Sequence, residues 1–251
     1  MGFTVVEKII NRRVKDLGWD GRVKAGDMAT LPVDMVMSHD SSTPLAIEAF
    51  ERFKDQRVFD PDRIVIVFDH IYPPSPLPLT DPYEAASNQK RISRFCKKHG
   101  IKKLFKGEGV CHTLMLERGY AKPWRILVGG DSHTVVYGVV GALGFGMGST
   151  DIAAAWKTGK ILLEVPESIL IRVEGDLPRG VYSKDIALEY IRELTVSGGE
   201  GRTLEFTGST LKKMSRDERM PIGIMAKEAE AVSQVFHDPG EGLSPDPDAE
   251  Y

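Results

Sequence analysis

The sequence predicts an α/β protein, a three-layer αβα arrangement around a largely parallel sheet, on three observations. First, Arg63-Ile64-Val65-Ile66-Val67-Phe68 is an apolar, β-branched run that ends in Asp69-His70, the signature of a buried strand presenting polar groups at its C-terminal tip. Second, Arg125-Ile126-Leu127-Val128-Gly129-Gly130 ends in the same way, in Asp131-Ser132-His133-Thr134. Third, strand-like runs alternate with helix-like segments as far as residue 194. Ligands of parallel sheets bind outside the carboxyl ends of the strands, so both acid/His groups are expected along one edge.

The elements follow in order. Residues 5–14 form an amphipathic helix, and 28–37 an extended stretch broken by Pro32. Residues 43–54 carry Leu45, Ile47, Ala49 and Phe50 and form a helix that Ser41 or Ser42 can cap. Residues 64–68 are a buried strand. Five prolines in 72–82 make that segment a loop. Residues 85–99 form a long helix closed by Gly100, and short strands follow at 102–105 and 126–128. A glycine-rich turn leads to a helix over 149–158, then a strand over 169–174 and a helix over 183–194. One α/β domain is expected over 1–197. Beyond the joint Gly198-Gly199-Glu200-Gly201, residues 198–251 read as a linker and the opening of a second α/β domain, cut short. That part holds a strand at 202–206, a helix over 220–235 interrupted by Gly223, and a polar Pro/Gly-rich tail from 237 with no packing of its own.

Composition narrows the function classes. Of 251 residues, 27% are charged and 41% hydrophobic, and the net charge is -3, which argues for neither nucleic acid nor an anionic membrane as partner. No apolar stretch is long enough to span a bilayer, and the start lacks a secretory layout, so a reducing cytoplasmic setting is expected. Two cysteines, Cys96 and Cys111, exclude a disulfide framework and an all-cysteine metal site built from this chain alone.

Five of six histidines fall in the first 133 residues. His99 sits in a basic helix end, where it complements the helix dipole. His39, His70, His112 and His133 each sit at an element end beside a polar or acidic residue, and an imidazole paired with a carboxylate is tuned as a general acid or base. A metal hydrolase would want His-x-His or His-x-x-x-His spacing, which is absent. Gly130-Asp131-Ser132-His133-Thr134 is not the Gly-x-Ser-x-Gly elbow of a serine hydrolase. Gly144-Phe145-Gly146-Met147-Gly148 suggests a dinucleotide site, but a close helix–sheet contact needing small residues explains it better. There is no Walker A loop. The remaining chemistry is proton shuttling on a small acidic molecule.

Taken as an ordered set, these segments resemble the aconitase family, in particular the large subunits of 3-isopropylmalate dehydratase and homoaconitase. The resemblance begins at Thr4-Val5-Val6-Glu7-Lys8-Ile9 and runs through Lys24-Ala25-Gly26-Asp27 and His39-Asp40-Ser41-Ser42-Thr43-Pro44. It continues in Phe68-Asp69-His70, Gly107-Glu108-Gly109-Val110-Cys111-His112 and Gly130-Asp131-Ser132-His133-Thr134. Gly148-Ser149-Thr150-Asp151, Lys184-Asp185-Ile186, Leu204-Glu205-Phe206 and Asp217-Glu218-Arg219-Met220 extend it.

The resemblance implies a hydro-lyase that interconverts hydroxy di- or tricarboxylic acids, such as 2- and 3-isopropylmalate in leucine biosynthesis, with a [4Fe-4S] cluster. Homoaconitase and dimethylmalate dehydratase activities are close alternatives, and a non-catalytic fragment or assembly module is an alternative of another class. By the same resemblance His70, with Asp69 beside it, protonates the departing hydroxyl; Asp131 pairs with His112 and Glu205 with His133. Ser132 contacts a substrate carboxylate, and His39 stands where relatives place a substrate-contacting Gln or His. The base that removes the carbon-bound proton is a serine of a separate swivelling domain or small subunit, which makes that subunit an expected partner. Three departures accompany the match. The cluster cysteines are expected beyond Tyr251, so the chain corresponds to the N-terminal portion of a large subunit, with Cys96 and Cys111 unrelated to them. Gly223-Ile224 stands where relatives carry Cys-Asn, and the proline-rich loop after His70 is longer than usual.

Overall fold

The structure is a computed structural model that describes residues 2–74 and 81–251. The proline-rich loop expected over 72–82 therefore lies in large part outside the described residues, and with it any role in side-chain preference.

In chain order the elements are α1 (Val5–Lys15), β1 (Met28–Pro32), β2 (Met35–His39), α2 (Thr43–Phe50), β3 (Ile64–Phe68), α3 (Pro82–His99) and β4 (Lys103–Lys106). Then come α4 (Cys111–Glu117), β5 (Ile126–Gly129), a 3-10 segment (Ser132–Val140), β6 (Leu143–Gly146), α5 (Ser149–Thr158), β7 (Lys160–Glu164) and β8 (Glu167–Arg172). The chain continues through α6 (Ser183–Leu194), β9 (Arg202–Thr207), α7 (Ser209–Lys213), α8 (Arg216–Ile224), a 3-10 turn (Met225–Ala229) and β10 (Ser233–Phe236).

Local chemistry sets several boundaries. α1 opens on a capping box in which Thr4 and Glu7 satisfy each other's backbone N–H. α3 starts with Asp81 accepting the Tyr83 N–H and Pro82 in the first turn, and it ends on Gly100 in the left-handed region (φ 72°). Ser42 occupies the cap position of α2, but its hydroxyl takes the His39 N–H at 3.3 Å instead of capping the helix.

The main sheet has the order β4-β3-β2-β5-β6, every pairing parallel. Side-chain alternation along these strands feeds two cores. Val36, Ile64, Ile66, Phe68, Ile126 and Val128 pack one way, against α1, α2, α3 and α5. Met37, Val65, Val67 and Leu127 pack the other way, against α4, the 3-10 segment, α6 and β9. Helical layers on both faces explain why strands such as Ile64–Phe68 are apolar at every position. This is the expected α/β architecture. β2 starts the sheet, β3 and β4 extend it one way, and β5 returns to the opposite side of β2. The order therefore reverses between β2 and β5, where a crevice opens at the strands' carboxyl ends.

A second parallel sheet, β10-β9-β8, pairs Glu167–Arg172 with Arg202–Thr207, so it joins residues on both sides of the 197/198 boundary. β1 and β7 form an antiparallel ribbon.

Three expectations are corrected. The helix expected over 220–235 is α8, a 3-10 turn and β10. Glu230, at positive φ (60°), ends the helical path, and Ser233–Phe236 is buried along its whole length, a run whose periodicity cannot separate strand from helix. β6 and β7 are strands that the glycine-rich turn and its polar surroundings concealed. Gly144 lies within β6, and a Cβ there would fall 2.0 Å from the Thr134 carbonyl oxygen, which makes the glycine run a close-contact device. Finally, the tail from His237 does pack: Leu243 is buried in the same core as the apolar face of α1, Asp246 pairs with Lys8 and accepts the Phe3 N–H, and His237 and Tyr251 bond Glu205. Some of its polar residues thus bond the N-terminal segment and β9.

Candidate active site at the strand tips

Three adjacent strands, β3, β2 and β5, end together, and the residues just past their tips meet. β2 delivers His39 and Asp40, β3 delivers Asp69 and His70, and β5 delivers Asp131, Ser132 and His133 through Gly129-Gly130. Any larger residue at this pair would displace a neighbouring hydroxyl. A Cβ at Gly129 would lie 2.1 Å from the Thr134 hydroxyl, and one at Gly130 would lie 2.7 Å from the Ser42 hydroxyl. α4 adds His112 from the adjoining layer.

Asp131 is the hub. Its Oδ1 accepts from His112 Nε2 at 2.9 Å and from the His133 backbone N–H at 2.7 Å. Its Oδ2 faces His70 Nε2 at 3.2 Å and His39 Nε2 at 3.6 Å. His70 Nδ1 bonds Asp69 Oδ1 at 2.8 Å, while Asp69 Oδ2 accepts the Cys111 N–H at 2.6 Å. His70 thus bridges two carboxylates. The backbone is fixed as well: buried Asp40 accepts the N–H groups of Asp69 (3.3 Å), His70 (3.0 Å) and Ile71 (3.0 Å). On the far side, His112 Nδ1 lies 3.4 Å from the buried Tyr137 hydroxyl.

The charges follow from these contacts. Hydrogen bonds to Asp131 and then to Asp69 outweigh partial burial and raise His70 to about 10, so it is an imidazolium at neutral pH. Burial favours the protonated form of Asp131, but hydrogen bonds from His112 and His70 override it and hold the carboxyl far below its ordinary range. Asp69 is lowered too, because the bonds from His70 and Cys111 exceed its desolvation. His39 is lowered by burial and by the neighbouring His70 charge, so it stays neutral. Burial keeps Tyr137 a neutral phenol.

These shifts have a consequence for stability. A raised imidazole stabilises the fold fully below the unfolded value of about 6.5 and loses that contribution as pH climbs through about 10. The lowered carboxyls contribute above about 3.9 and lose it as pH falls. The urea midpoint should therefore fall between pH 7 and pH 10, and His70→Gln should flatten that alkaline limb; a limb unchanged in the variant would contradict the assignment.

Of the residues expected from sequence, Asp69, His70, His112, Asp131 and His133 come together, with the Asp131–His112 pair as anticipated. Ser132 is exposed beside them, its hydroxyl 3.4 Å from His133 Nδ1. Glu205 does not join. It is fully buried in β9, accepting the Val5 and Val6 N–H groups, the Ser168 hydroxyl, His237 Nε2 at 2.7 Å and the Tyr251 hydroxyl. The expected Glu205–His133 pair is therefore corrected: Glu205 is the counter-charge to the N-terminus of α1. His133 Nε2 bonds Glu228 instead, at 3.2 Å. Glu228 escaped the sequence reading because Lys227-Glu228-Ala229-Glu230 looks like any solvated helix face. Asp40 escaped as well, although its place directly after a strand tip was a signal. His39 is buried, and its Nδ1 has no hydrogen-bond partner among the described residues.

A cavity of about 930 Å³ adjoins the cluster, lined by Asp131, Ser132, Glu164, Arg202, Lys227 and Glu230 among others. Donor atoms of His39, His70 and Asp131 lie within 4.8 Å of one another, but the two rings stack face to face, 3.6 Å apart and 8° from parallel. Imidazole lone pairs lie in the ring planes, so no single ion can sit in both planes. Nor do the cysteines suit an iron–sulfur cluster. Cys96 and Cys111 belong to cores on opposite faces of the sheet, and burial raises both thiols, Cys96 to about 12. The cysteines of this chain cannot hold such a cluster.

The sequence profile of the aconitase family (aconitate hydratase) matches residues 7–238. The 3-isopropylmalate dehydratase large subunit 1 of Methanopyrus kandleri is 36% identical, across 100% of this chain and 61% of that one. A probable 3-isopropylmalate dehydratase large subunit of Methanosarcina mazei is 42% identical over 82% of this chain and 49% of that one. The homoaconitase large subunit of Thermus thermophilus is 38% identical over 100% of this chain and 60% of that one. The chain thus spans about half to three-fifths of the length of these relatives.

Proposed function

This chain belongs to the aconitase family, and from that premise we propose that it supplies the acid–base part of a hydro-lyase site acting on a hydroxy di- or tricarboxylic acid. Substrates of the 2- and 3-isopropylmalate type are the first choice, and a homoaconitase-like substrate the alternative, because relatives of both names match at similar identity. The observation that carries the reading is the His70 ring bridging the carboxylates of Asp69 and Asp131 at the carboxyl ends of the strands, beside the point where strand order reverses.

Dehydration needs a proton delivered to the departing hydroxyl, and His70 Nε2 is the atom placed to deliver it. As long as Asp131 accepts from Nε2, the proton is held too tightly for a good acid at neutral pH. A substrate hydroxyl that takes the place of Asp131 at Nε2 removes the largest influence raising His70, and brings the acid toward the operating pH. Asp69 keeps hold of Nδ1 meanwhile, fixing ring and tautomer. Asp131 stays charged through its bonds from His112 and the His133 N–H, which lets it receive the imidazolium again after turnover. Ser132, exposed and lining the cavity, would meet a substrate carboxylate.

The family typically carries a [4Fe-4S] cluster, and since the cysteines here cannot hold one, its ligands would come from outside this chain. The large-subunit likeness likewise supports a small-subunit partner, which in this proposal would bring the serine base. Within the described residues, no helix is long and apolar enough to cross a membrane.

The test is dehydration by the assembled enzyme, followed as the rise in ultraviolet absorbance when the conjugated alkene acid forms from 2- or 3-isopropylmalate or homocitrate. Turnover is expected, with His70→Asn slower by at least ~100-fold. Turnover that survives His70→Asn undiminished would overturn the role of the site.

A further inference from the structure

We infer that the outer edge of β8 is a docking site for one further β-strand, an extended segment with apolar side chains at alternate positions, supplied by the length of large subunit that the relatives carry outside their match to this chain. The inference rests on the family likeness and is independent of the dehydration reading.

β8 is one margin of the sheet β10-β9-β8, and no strand lies beyond it among the described residues. The opposite margin, β10, is buried along its whole length. The Val173 N–H bonds the Thr207 carbonyl at 2.9 Å, so Val173 and, by alternation, Ile171 and Ile169 turn their backbone groups toward β9. Ser168, Leu170 and Arg172 therefore turn theirs outward. Soluble proteins blunt such a row with lysine, proline or a bulge, yet here Ile169, Leu170 and Ile171 are consecutive, aliphatic and only half-buried.

A cavity flanks this edge on each face of the sheet. One, of about 590 Å³, lies between β8 and α6, walled by Ile169, Ile171, Val173, Ile186, Tyr190 and Leu194. The other, of about 730 Å³, lies on the face where the Ser168 hydroxyl meets Glu205, and Thr4, Glu7, Lys24 and Leu170 line it. Successive side chains of a strand laid against β8 project to opposite faces, so one extended segment fills both spaces. Its apolar side chains meet α6, and its polar or small ones lie beside Glu7 and Lys24. Its backbone pairs with the outward groups of Ser168, Leu170 and Arg172, which a docked helix could not do. The source follows from length: this chain matches only 61% and 49% of two of its relatives.

The experiment is amide exchange and proton–nitrogen NMR on the full chain, alone and with overlapping twelve-residue peptides that tile the unmatched part of the Methanopyrus kandleri large subunit. In the chain alone, the amides of Ser168, Leu170 and Arg172 should exchange at least ~10-fold faster than those of Ile169 and Ile171. One stretch of the tiling should shift and protect the three outward amides. Leu170→Pro removes an outward N–H and leaves the ladder to β9 intact, and it should weaken that binding about tenfold. If Leu170→Pro does not fold, Leu170→Lys takes its place, since a charge on the edge opposes strand addition. No peptide protecting these amides, or full protection in the dilute chain alone, would overturn the inference. Protection that grows with concentration, together with a dimer in light scattering that Leu170→Pro abolishes, would give the edge to a second copy and overturn it as well.

Discussion

Asp131→Asn should lower dehydration by the assembled enzyme at least ~1,000-fold, within the range of acid–base groups and above the loss from any one imidazole. One carboxylate here faces four side-chain imidazole nitrogens and a backbone N–H. An amide of the same shape keeps a single acceptor and turns an NH₂ toward groups that are themselves donors, so one contact becomes a clash of like partial charges. Removing the charge also takes away the largest influence that raises His70, whose midpoint should fall well below about 10. Steady-state rates and a histidine titration check the two halves separately. A variant with normal rates would show the hub to be incidental.

Asp40→Asn should cost roughly 3 kcal/mol of unfolding free energy, since three backbone N–H groups share two carboxylate oxygens and each lost bond to a charged acceptor is worth about 1.5–3 kcal/mol, partly offset by the remaining amide oxygen. For a chain of this size that corresponds to a fall of about 6–12 °C in melting temperature. The same three bonds fix the turn after β3, so the loss should also blur the position of Asp69 and His70. Urea unfolding with a change in midpoint but not slope would report it; a stability within about 0.5 kcal/mol of the unaltered chain would contradict the assignment.

Much of the site was legible because the physics that buries a parallel strand also announces its end. An apolar run such as Ile64–Phe68 can stop only where the backbone leaves the sheet, and Asp69-His70 follows at once. The same reasoning located Asp131 after Ile126–Gly129. Side-chain partners were harder wherever they came from distant segments. His133 meets Glu228 across 95 residues, and no local pattern marks that glutamate among its charged neighbours. Glu205 was expected in the site from the family resemblance alone, and only the fold shows it facing α1 from β9. β10 was invisible because four consecutive buried residues carry no period. The tail reads as unpacked because one buried leucine, Leu243, stands among polar residues whose contacts reach back to Phe3 and Lys8.

The central claim is that Asp131 and Asp69 together hold His70 as an imidazolium at the strand tips. The most direct test is a nitrogen-detected histidine titration of the unaltered chain from pH 5 to pH 10.5. The account predicts that His70 keeps both ring protons through pH 8 and titrates near 10, and that the midpoint drops in Asp131→Asn. A His70 that titrates near 6.5, with or without Asp131, would contradict it.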